Sequence, residues 1–348
     1  MHFCSEARRP PTGFSSSAQL AVVRPAARDF VSGGVAQNEG GQWGTANGSR
    51  AGARLAEPIY LIVNADDYGY FPCVSRGILA AARQGAVTAT GILANAPFLD
   101  EQLGWLRSAP SLDVGVHLNL TRGTPITDGM RHRLRRSRGQ FVRKEQMAAA
   151  LLTGQLTVAD VRAEWQSQIE ACLAHGLRPQ FLNSHEHVHM LPPLFRLIHE
   201  LARQYAIEHV RYPSAEIPQR CTAGAIVRNL TIGGLGWLNR RRRCHGAILC
   251  LGVGPSGRLS FDYLQRLVAR LKPGRVYELM CHPGFYDAAE ISDSRLRSYH
   301  DWEQELAVLT SDDTHGLFAN RRVRCVGYRG FSINREASPS APKSSSHD

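Results

Sequence analysis

Between Ile59 and Tyr328, short apolar runs rich in β-branched residues alternate with stretches whose apolar residues recur at helical spacing. This alternation is typical of βα units arranged around a mainly parallel sheet. The predicted strands are Ile59 to Ala65, Val87 to Leu93, Asp113 to Leu118, Gln180 to Asn183, His209 to Arg211, Arg275 to Met280 and Val323 to Tyr328. The predicted helices include Val74 to Arg83, Val158 to Ala174 and Pro192 to Tyr205. About 275 residues of this kind, without a repeat or a linker, suit one α/β barrel.

The two ends of the chain lack this pattern. Residues 1–57 are rich in Gly, Ser, Ala and Arg, and residues 333–348 are rich in Ser and Pro. Such segments bury too little apolar surface to form a core. We therefore expect a disordered extension over 1–57, a barrel domain over 58–332 and a disordered tail over 333–348. An upstream start codon or an organelle transit peptide is an alternative explanation of the leader.

The composition excludes several classes of protein. A chain with 43% hydrophobic and 20% charged residues is globular rather than fibrous or wholly disordered. No stretch approaches the roughly 18 apolar residues of a membrane-spanning helix, so no transmembrane segment is expected. The eight cysteines form no C-x-x-C pair, and no secretory signal is convincing. The sequence therefore predicts reduced thiols and a cytoplasmic location.

The chain is basic, with a formal net charge of +11, and this charge permits acidic partners. Two segments, Arg131–Arg138 and Arg240–Arg243, concentrate arginine. An anionic glycan, a lipid surface or a nucleic acid are alternative partners for them. We predict solvated loop faces instead, and no nucleic-acid partner, because no interleaved aromatic residues accompany the arginines.

Ionisable residues follow several predicted strands at their C-terminal ends, where α/β sheets carry their sites. Singly, each has a structural explanation, such as a helix N-cap for an Asp pair or a hydrogen-bonded core histidine. Three histidines alternate after the fourth strand, and in an extended chain at least two of them would face one cation. The residues at these ends are Asp66, Asp67, His117, His185, His187, His189 and His282.

Taken together, these residues predict a catalytic metal site. Two imidazoles and one carboxylate leave coordination positions open, unlike a closed structural site. The remaining Asp and His would form an acid/base pair. A metal site together with such a pair is the set of groups that metal-assisted hydrolysis requires.

Four motifs in this order resemble the YdjC-like carbohydrate deacetylases, which include chitooligosaccharide and hopanoid-associated deacetylases. The resemblance covers about residues 58 to 331 and rests on Leu61–Gly69, Gly115–Leu120, Asn183–Met190 and Glu278–Gly284. It implies a distorted (β/α) TIM-like barrel of the glycoside hydrolase/deacetylase type, related to polysaccharide deacetylases. It also implies removal of N-acetyl groups from an acetylated carbohydrate, such as a chitooligosaccharide or a glycolipid, by metal-activated water.

The resemblance also implies roles for individual residues. Asp66 is the expected catalytic base and His282 the expected general acid. The expected ligands of one divalent metal ion are Asp67, His117 and His185. Arg211 is expected to orient Asp66 or to bind substrate, with a surface arginine as the alternative.

Several questions stay open at the level of sequence. The resemblance implies Mg²⁺, whereas the softness of two imidazole ligands favours Zn²⁺, Co²⁺ or Mn²⁺. Hydrolysis of another amide or a phosphoester is an alternative activity, because sites of this kind on barrels serve many hydrolases. A catalytically silent glycan- or anion-binding protein is a second alternative. The expected partner is an N-acetylated carbohydrate, and a homodimer remains an open assembly.

Overall fold

The structure is a computed structural model that describes residues 57–97, 99–216, 223–242 and 248–331. The predicted extension, apart from Glu57, and the predicted tail lie outside the described residues, so these domain limits stay predictions. The strands are β1 (Ile59–Tyr68), β2 (Ala89–Ile92), β3 (Asp113–Leu118), β4 (Phe181–Ser184), β5 (His209–Val210), β6 (Tyr212–Pro213), β7 (Leu249–Leu251), β8 (Val276–Cys281) and β9 (Val323–Cys325).

The helices surround this sheet. They are α1 (Pro72–Gln84), α2 (Leu99–Trp105), α3 (Asp128–Arg133), α4 (Lys144–Leu152), α5 (Val158–Ala174), α6 (Pro192–Gln204), α7 (Ala223–Asn239), α8 (Phe261–Val268), α9 (Ser294–Tyr299), α10 (Trp302–Thr310) and α11 (Asp312–Asn320).

All strand pairs are parallel, and the strands run β5-β4-β3-β2-β1-β8-β7-β6 around the sheet. β9 pairs with the first residues of β1, next to the place where β2 begins to pair. The strands form a nearly closed barrel, and this confirms the prediction of a distorted (β/α) TIM-like barrel.

The barrel closes through the chain segment that contains β5 and β6. β5 pairs with β4, β6 pairs with β7, and only Arg211 separates the two short strands. The backbone N–H of Arg211 still donates to the carbonyl of Leu182 in β4, at 3.0 Å. One continuous segment therefore changes its neighbour at Arg211, and this residue lies at the seam of the barrel.

Local sequence explains where the principal elements begin. Pro72 and Pro192 occupy the first turns of α1 and α6, where the missing N–H of proline costs no hydrogen bond. Thr157 caps α5 by accepting from the N–H of Asp160 at 3.2 Å. α6 buries one apolar side, with Leu194, Phe195, Leu197, Ile198, Leu201 and Ala202. The helical spacing of such apolar residues is what made α1, α5 and α6 predictable.

The barrel core is a large apolar cluster around β1, and nearly all of β1 is buried. Among the largest fully buried side chains are Trp165, Tyr68 and Phe181. At about 25 cal/mol per Å² of buried apolar surface, this cluster is the main stabilising term of the fold. This core surrounds β1 along nearly its whole length.

One prediction about the basic segments is wrong in part. Residues 128–133 form the helix α3 rather than a loop, because Thr127 caps them by accepting from the N–H of Met130 at 3.3 Å. Arg133 is exposed as expected and Arg131 is half-buried, and each pairs with an aspartate, Asp160 and Asp128 respectively. Arg240, Arg241 and Arg242 are exposed, and Arg243 lies outside the described residues.

Candidate active site and metal centre

Asp66 and Asp67 lie at the C-terminal end of β1, where the strand is irregular. In a regular strand adjacent side chains point to opposite faces, so two neighbouring carboxylates would not share a site. The β1–β2 register shifts between Ala65 and Tyr68, and Asp67 has a φ of 71°. A bulge re-aims a side chain, and aspartate tolerates this left-handed conformation better than most residues. The irregularity therefore brings both carboxylates to the same end of the barrel.

Asp67 lies between two imidazoles. Its Oδ1 is 3.3 Å from Nε2 of His117 and 3.0 Å from Nδ1 of His185. The three ligand atoms all lie within 4.8 Å of one another, and all three residues are buried. One carboxylate oxygen and two imidazole nitrogens are a ligand set that catalytic metal centres use. We refer to Asp67, His117 and His185 as the Asp–His–His cluster.

The orientation of His117 follows from its other contact. Nδ1 of His117 lies 2.7 Å from Oδ1 of Asn183. Because an amide oxygen only accepts, Nδ1 donates and Nε2 is the nitrogen that faces Asp67. A Cβ on Gly91 would lie 3.1 Å from Cβ of His117, so the glycine leaves room for this ring. The site thus presents Nε2 of His117 as the nitrogen that a metal ion would meet.

Asp66 is fixed by Arg211 and Asn183. Nη1 of Arg211 donates to Oδ2 of Asp66 at 2.5 Å, and Nη2 donates to Oδ1 at 2.8 Å. Nδ2 of Asn183 donates to Oδ1 at 3.0 Å. Nε of Arg211 donates to Oε1 of Glu278 in β8 at 2.7 Å. Since its guanidinium is fully buried between these carboxylates, the geometry favours orientation of Asp66 by Arg211 over contact with substrate.

The charges around the two aspartates keep both of them ionised. Burial alone raises the pKa of Asp66, but the charges of Arg211 and His117 outweigh it and bring the pKa to about 2. Burial likewise raises the pKa of Asp67, and His185 and His117 hold it well below its usual range. The two carboxylates are therefore anionic at neutral pH.

The prediction that the histidines after β4 alternate along an extended chain is wrong. Residues 185–190 form a 3₁₀ turn, and Glu186 and His187 have φ values of 51° and 57°. His185 alone of the three joins the Asp–His–His cluster. His189 instead lies 2.6 Å from Oγ of Ser184 and 3.1 Å from the carbonyl of Arg211. Burial, and next the charge of Arg211, hold the pKa of His187 well below its usual range, so that ring is neutral.

His282 follows β8 at the same edge of the sheet as Asp66, because Ala65 and Cys281 are register partners. The backbone N–H of His282 donates to Oε2 of Glu305 at 2.5 Å, and its ring centroid lies 4.9 Å from that of His300. Nδ1 of His282 is buried and has no hydrogen-bond partner in the part of the chain that the structure describes. The ring is therefore not tied at Nδ1 into the described hydrogen-bond network.

A cleft of about 280 Å³ lies near the Asp–His–His cluster. Acidic and basic side chains surround it and form pairs, such as Arg122 with Asp293 at 3.9 Å and Lys144 with Glu186 at 3.1 Å. Its lining comprises Thr121, Arg122, Arg143, Glu145, Glu186, Asp293 and Arg295, and does not include the three residues of the cluster. Glu186 follows His185 directly and its charge acts on the pKa of His185, so this part of the lining lies close to the cluster.

Sequence reasoning missed two residues of this site. Asn183 joins His117 to Asp66, and Glu278 supports Arg211. Both lie within predicted strands, and a polar residue inside a buried strand was the available signal, since buried polar groups need partners. The structure brings together all six predicted site residues or places them at the same edge of the barrel.

Comparison with known proteins shows to which family this chain belongs. Residues 60–320 match the family described as YdjC-like protein. The chain belongs to this family. A carbohydrate deacetylase of Geobacillus stearothermophilus is 31% identical to this YdjC-like chain over 276 residues, which cover 79% of the chain and 98% of that relative. A chitooligosaccharide deacetylase of Klebsiella pneumoniae (strain 342) is 30% identical over 272 residues, covering 77% and 98% respectively.

A solved structure shares the fold of this YdjC-like chain. It is a crystal structure from Enterococcus faecalis V583, provisionally described as that of a cellobiose-phosphate cleavage protein. The two chains are 26% identical, with a TM-score of 0.62, and the match covers 79% of this chain and 100% of the other. The predicted resemblance to the YdjC-like family is confirmed.

No helix within the described residues combines the length and the apolar character needed to cross a bilayer.

Proposed function

We propose that this YdjC-like chain is a metal-dependent hydrolase that removes N-acetyl groups from an acetylated carbohydrate. The names of its relatives support the prediction of an enzyme, a deacetylase. The observation that carries the metal dependence is the Asp–His–His cluster next to a second, separately fixed carboxylate, Asp66. A binding protein would not need one aspartate among the possible metal ligands and a second, neighbouring aspartate that is held separately from them.

The residues present fit a divalent metal ion. Oδ1 of Asp67, Nε2 of His117 and Nδ1 of His185 would hold it, and the hydrogen bond to Asn183 already fixes the orientation of His117. When bound there, a divalent cation would polarise the acetamide carbonyl and make water more acidic. Three protein ligands leave room for substrate, as in other catalytic centres.

Asp66 acts as the base in this proposal, and its contacts identify the atom. A carboxylate has about four lone-pair sites. Oδ1 accepts from both Asn183 and Arg211, whereas Oδ2 accepts from Arg211 alone. Oδ2 therefore keeps the site that takes a proton from the attacking water. Arg211 and Asn183 position the carboxylate and hold it in its anionic form.

His282 acts as the acid that protonates the departing amine. It reaches the same edge of the barrel from β8, and Asp66 reaches it from β1. Base and acid thus come from adjacent strands at one edge of the barrel. This pair divides the proton transfers of amide hydrolysis between two side chains.

The cleft beside the cluster supports a carbohydrate as substrate. Its arginine and carboxylate side chains offer donors and acceptors in nearly equal number, which suits the hydroxyl groups of a sugar. Glu186 and Thr121 are the lining residues closest in sequence to His185 and His117, so they are expected to contact the sugar that carries the acetyl group.

Acetate release from N-acetylated chitooligosaccharides tests this function. The metal-loaded protein should release acetate, a chelator should abolish release, and added divalent cation should restore it. Arg76→Gln is a matched control, since Arg76 forms an exposed ion pair with Glu290 away from the cleft, and it should keep full activity. Release that resists the chelator, or no release by metal-loaded protein, would contradict the proposal.

The identity of the metal ion requires a separate measurement. Two imidazole ligands favour Zn²⁺, Co²⁺ or Mn²⁺, and the family resemblance favours Mg²⁺. Elemental analysis of protein purified without added cations, followed by the order in which ions restore acetate release, decides between them. The cytoplasmic location and the homodimer stay predictions.

A further inference from the structure

Helix α7 presents an apolar surface to solvent. Five large apolar side chains are exposed on it: Ile226, Val227, Leu230, Trp237 and Leu238. The exposed fractions are 71% for Leu230, 62% for Trp237 and 61% for Val227. Single exposed apolar residues are normal, but a contiguous set on one helix marks an interaction surface.

The five side chains lie on one side of the helix. At 3.6 residues per turn, positions 226, 230 and 237 align closely, and 227 and 238 lie within about a third of a turn of them. The set extends from residue 226 to residue 238, about 18 Å along the axis. We call Ile226, Val227, Leu230, Trp237 and Leu238 the α7 face.

The opposite side of α7 is held to the barrel by polar contacts. Oδ1 of Asn229 accepts from the N–H of Glu216 at 2.8 Å, and Nδ2 of Asn239 donates to the carbonyl of Met190 at 2.7 Å. The hydroxyl of Tyr212 donates to the carbonyl of Gly236 at 2.7 Å. A water-facing helix normally buries its apolar side and exposes its polar side. α7 buries Ala225 and Ile232 beside these polar contacts, but most of its large apolar side chains, those of the α7 face, are exposed to solvent.

Positive charge lies next to the α7 face. Residues 223–242 contain no Asp or Glu, and Arg240, Arg241 and Arg242 are exposed directly after the helix. The guanidinium of Arg240 lies 4.2 Å from the centroid of the Trp237 ring. Tryptophan and arginine together at the edge of an apolar stripe are typical of helices that lie in a membrane interface.

We infer that the α7 face docks this chain on the surface of an anionic lipid bilayer. The apolar side chains would enter the boundary between headgroups and acyl chains, and the three arginines would contact anionic headgroups. A helix of 17 residues is about 26 Å long and shorter than the hydrocarbon core, so α7 lies on the bilayer rather than across it.

The charge argues against a second copy of this chain as the occupant. A two-fold interface would place the same patch of both copies together, and the arginine clusters would then repel each other. A bilayer with anionic lipid instead attracts them. Asn239 is bonded to the turn that carries His185, so docking would hold the C-terminal rim near the lipid.

Vesicle co-sedimentation tests the inference with the full chain. The protein should bind vesicles of phosphatidylcholine that contain about one third phosphatidylglycerol, and bind pure phosphatidylcholine much more weakly. Replacing Arg240, Arg241 and Arg242 by Gln should weaken binding to the anionic vesicles on the order of a hundredfold. The triple variant Leu230→Ser, Trp237→Ser and Leu238→Ser should weaken binding to both kinds of vesicle.

Leu152→Ser is the matched control, because Leu152 is 88% exposed on α4 and lies outside the α7 face. It should bind as the wild type does. Emission of Trp237, obtained as the difference between wild type and Trp237→Phe, should shift to the blue with vesicles. The arginine variant keeps the test valid if the apolar variant fails to fold.

Three results would overturn the inference. They are no wild-type binding to anionic vesicles at low salt, binding that survives both α7 variants, and a stable dimer in solution that the apolar variant dissociates.

Discussion

The two ends of the barrel share their strands but differ in chemistry. At the C-terminal rim, Asp66, Asp67 and Arg211 are buried charges that pair within one network. At the N-terminal end, Phe181 stacks on Tyr328 with ring centroids 4.4 Å apart. The larger cavity, about 350 Å³, lies at the N-terminal end, and the cleft at the rim is about 280 Å³. The N-terminal end also buries Asp113 and His209, but the cluster of several buried charges joined in one network lies at the rim. This network, and not cavity size, therefore distinguishes the rim.

This difference has an energetic basis. Burial of a charge costs several kcal/mol unless a partner and hydrogen bonds compensate it, whereas burial of an aromatic ring is favourable by itself. The rim therefore carries groups that function requires despite their cost. We expect substitutions at the rim to reduce activity more than stability, and substitutions at the N-terminal end to do the opposite.

The largest effect is expected for His117→Ala at the rim. It removes one nitrogen of the Asp–His–His cluster, so the variant should lose its bound metal. Acetate release should fall by at least about a thousandfold, since a catalytic metal contributes several kcal/mol to the transition state. Elemental analysis and the rate of acetate release measure both effects. An unchanged metal content would show that His117 is not a ligand.

Asp66→Asn should keep the metal and still lose activity. The loss should be about a hundredfold to ten-thousandfold in kcat, the range for a positioned base. The amide is isosteric, and its oxygen can still accept from Nη2 of Arg211 although its NH2 group cannot accept from Nη1, so folding should persist with some loss of stability. If this variant instead loses the metal and regains its rate on reconstitution, Asp66 and Asp67 exchange roles, and His187 and His189 become the next candidates for the base.

Phe181→Ala should affect the other end in the opposite way. It leaves a cavity against Tyr328 and should lower the free energy of unfolding by about 3–5 kcal/mol. The kcat of the folded fraction should stay within about twofold of wild type. Denaturant unfolding and kinetics below the transition measure the two quantities. A large fall in kcat without loss of stability would remove the distinction between the ends.

The smallest effect is expected for Arg329→Gln. Arg329 pairs with Asp113 at the N-terminal end; the Arg329 side chain is 53% exposed, whereas Asp113 is buried. The backbone N–H of residue 329 also donates to Oδ2 of Asp113 at 2.9 Å, so the carboxylate keeps a partner in the variant. The half-exposed guanidinium therefore contributes about 1 kcal/mol, and salt screens it in part. The variant should therefore lose at most that amount in denaturant unfolding, with unchanged acetate release. A loss that persists fully in high salt would indicate that the contact is not mainly electrostatic.

The sequence predicted the strong elements of the fold well. The predicted bounds of β3 and α5 agree with the structure, because each shows a clear period over its whole length. β6 and β7 were not predicted, since two or three residues show no period. α7 was missed for another reason. Its Gly233, Gly234 and Gly236 oppose helix formation, and tertiary contacts override that preference.

The site was predictable in position but not in geometry. The rule that sites gather at the C-terminal ends of strands located Asp66, His117 and His282. The rule does not predict the register shift that turns Asp66 and Asp67 to one place, nor the 3₁₀ turn that leaves His189 away from the cluster. Both are backbone irregularities, and a regular pattern of residues cannot indicate them.

The change of neighbour at Arg211 links folding to the order of the site. Completion of the barrel at this seam carries a guanidinium into the interior, and among the described residues the carboxylates of Asp66 from β1 and Glu278 from β8 pair with it there. A chain in which either strand slips by one residue would lose one of these partners, at a cost of several kcal/mol. Closure of the barrel therefore selects the correct register: a molecule that has closed it has, by the same contacts, already oriented Asp66.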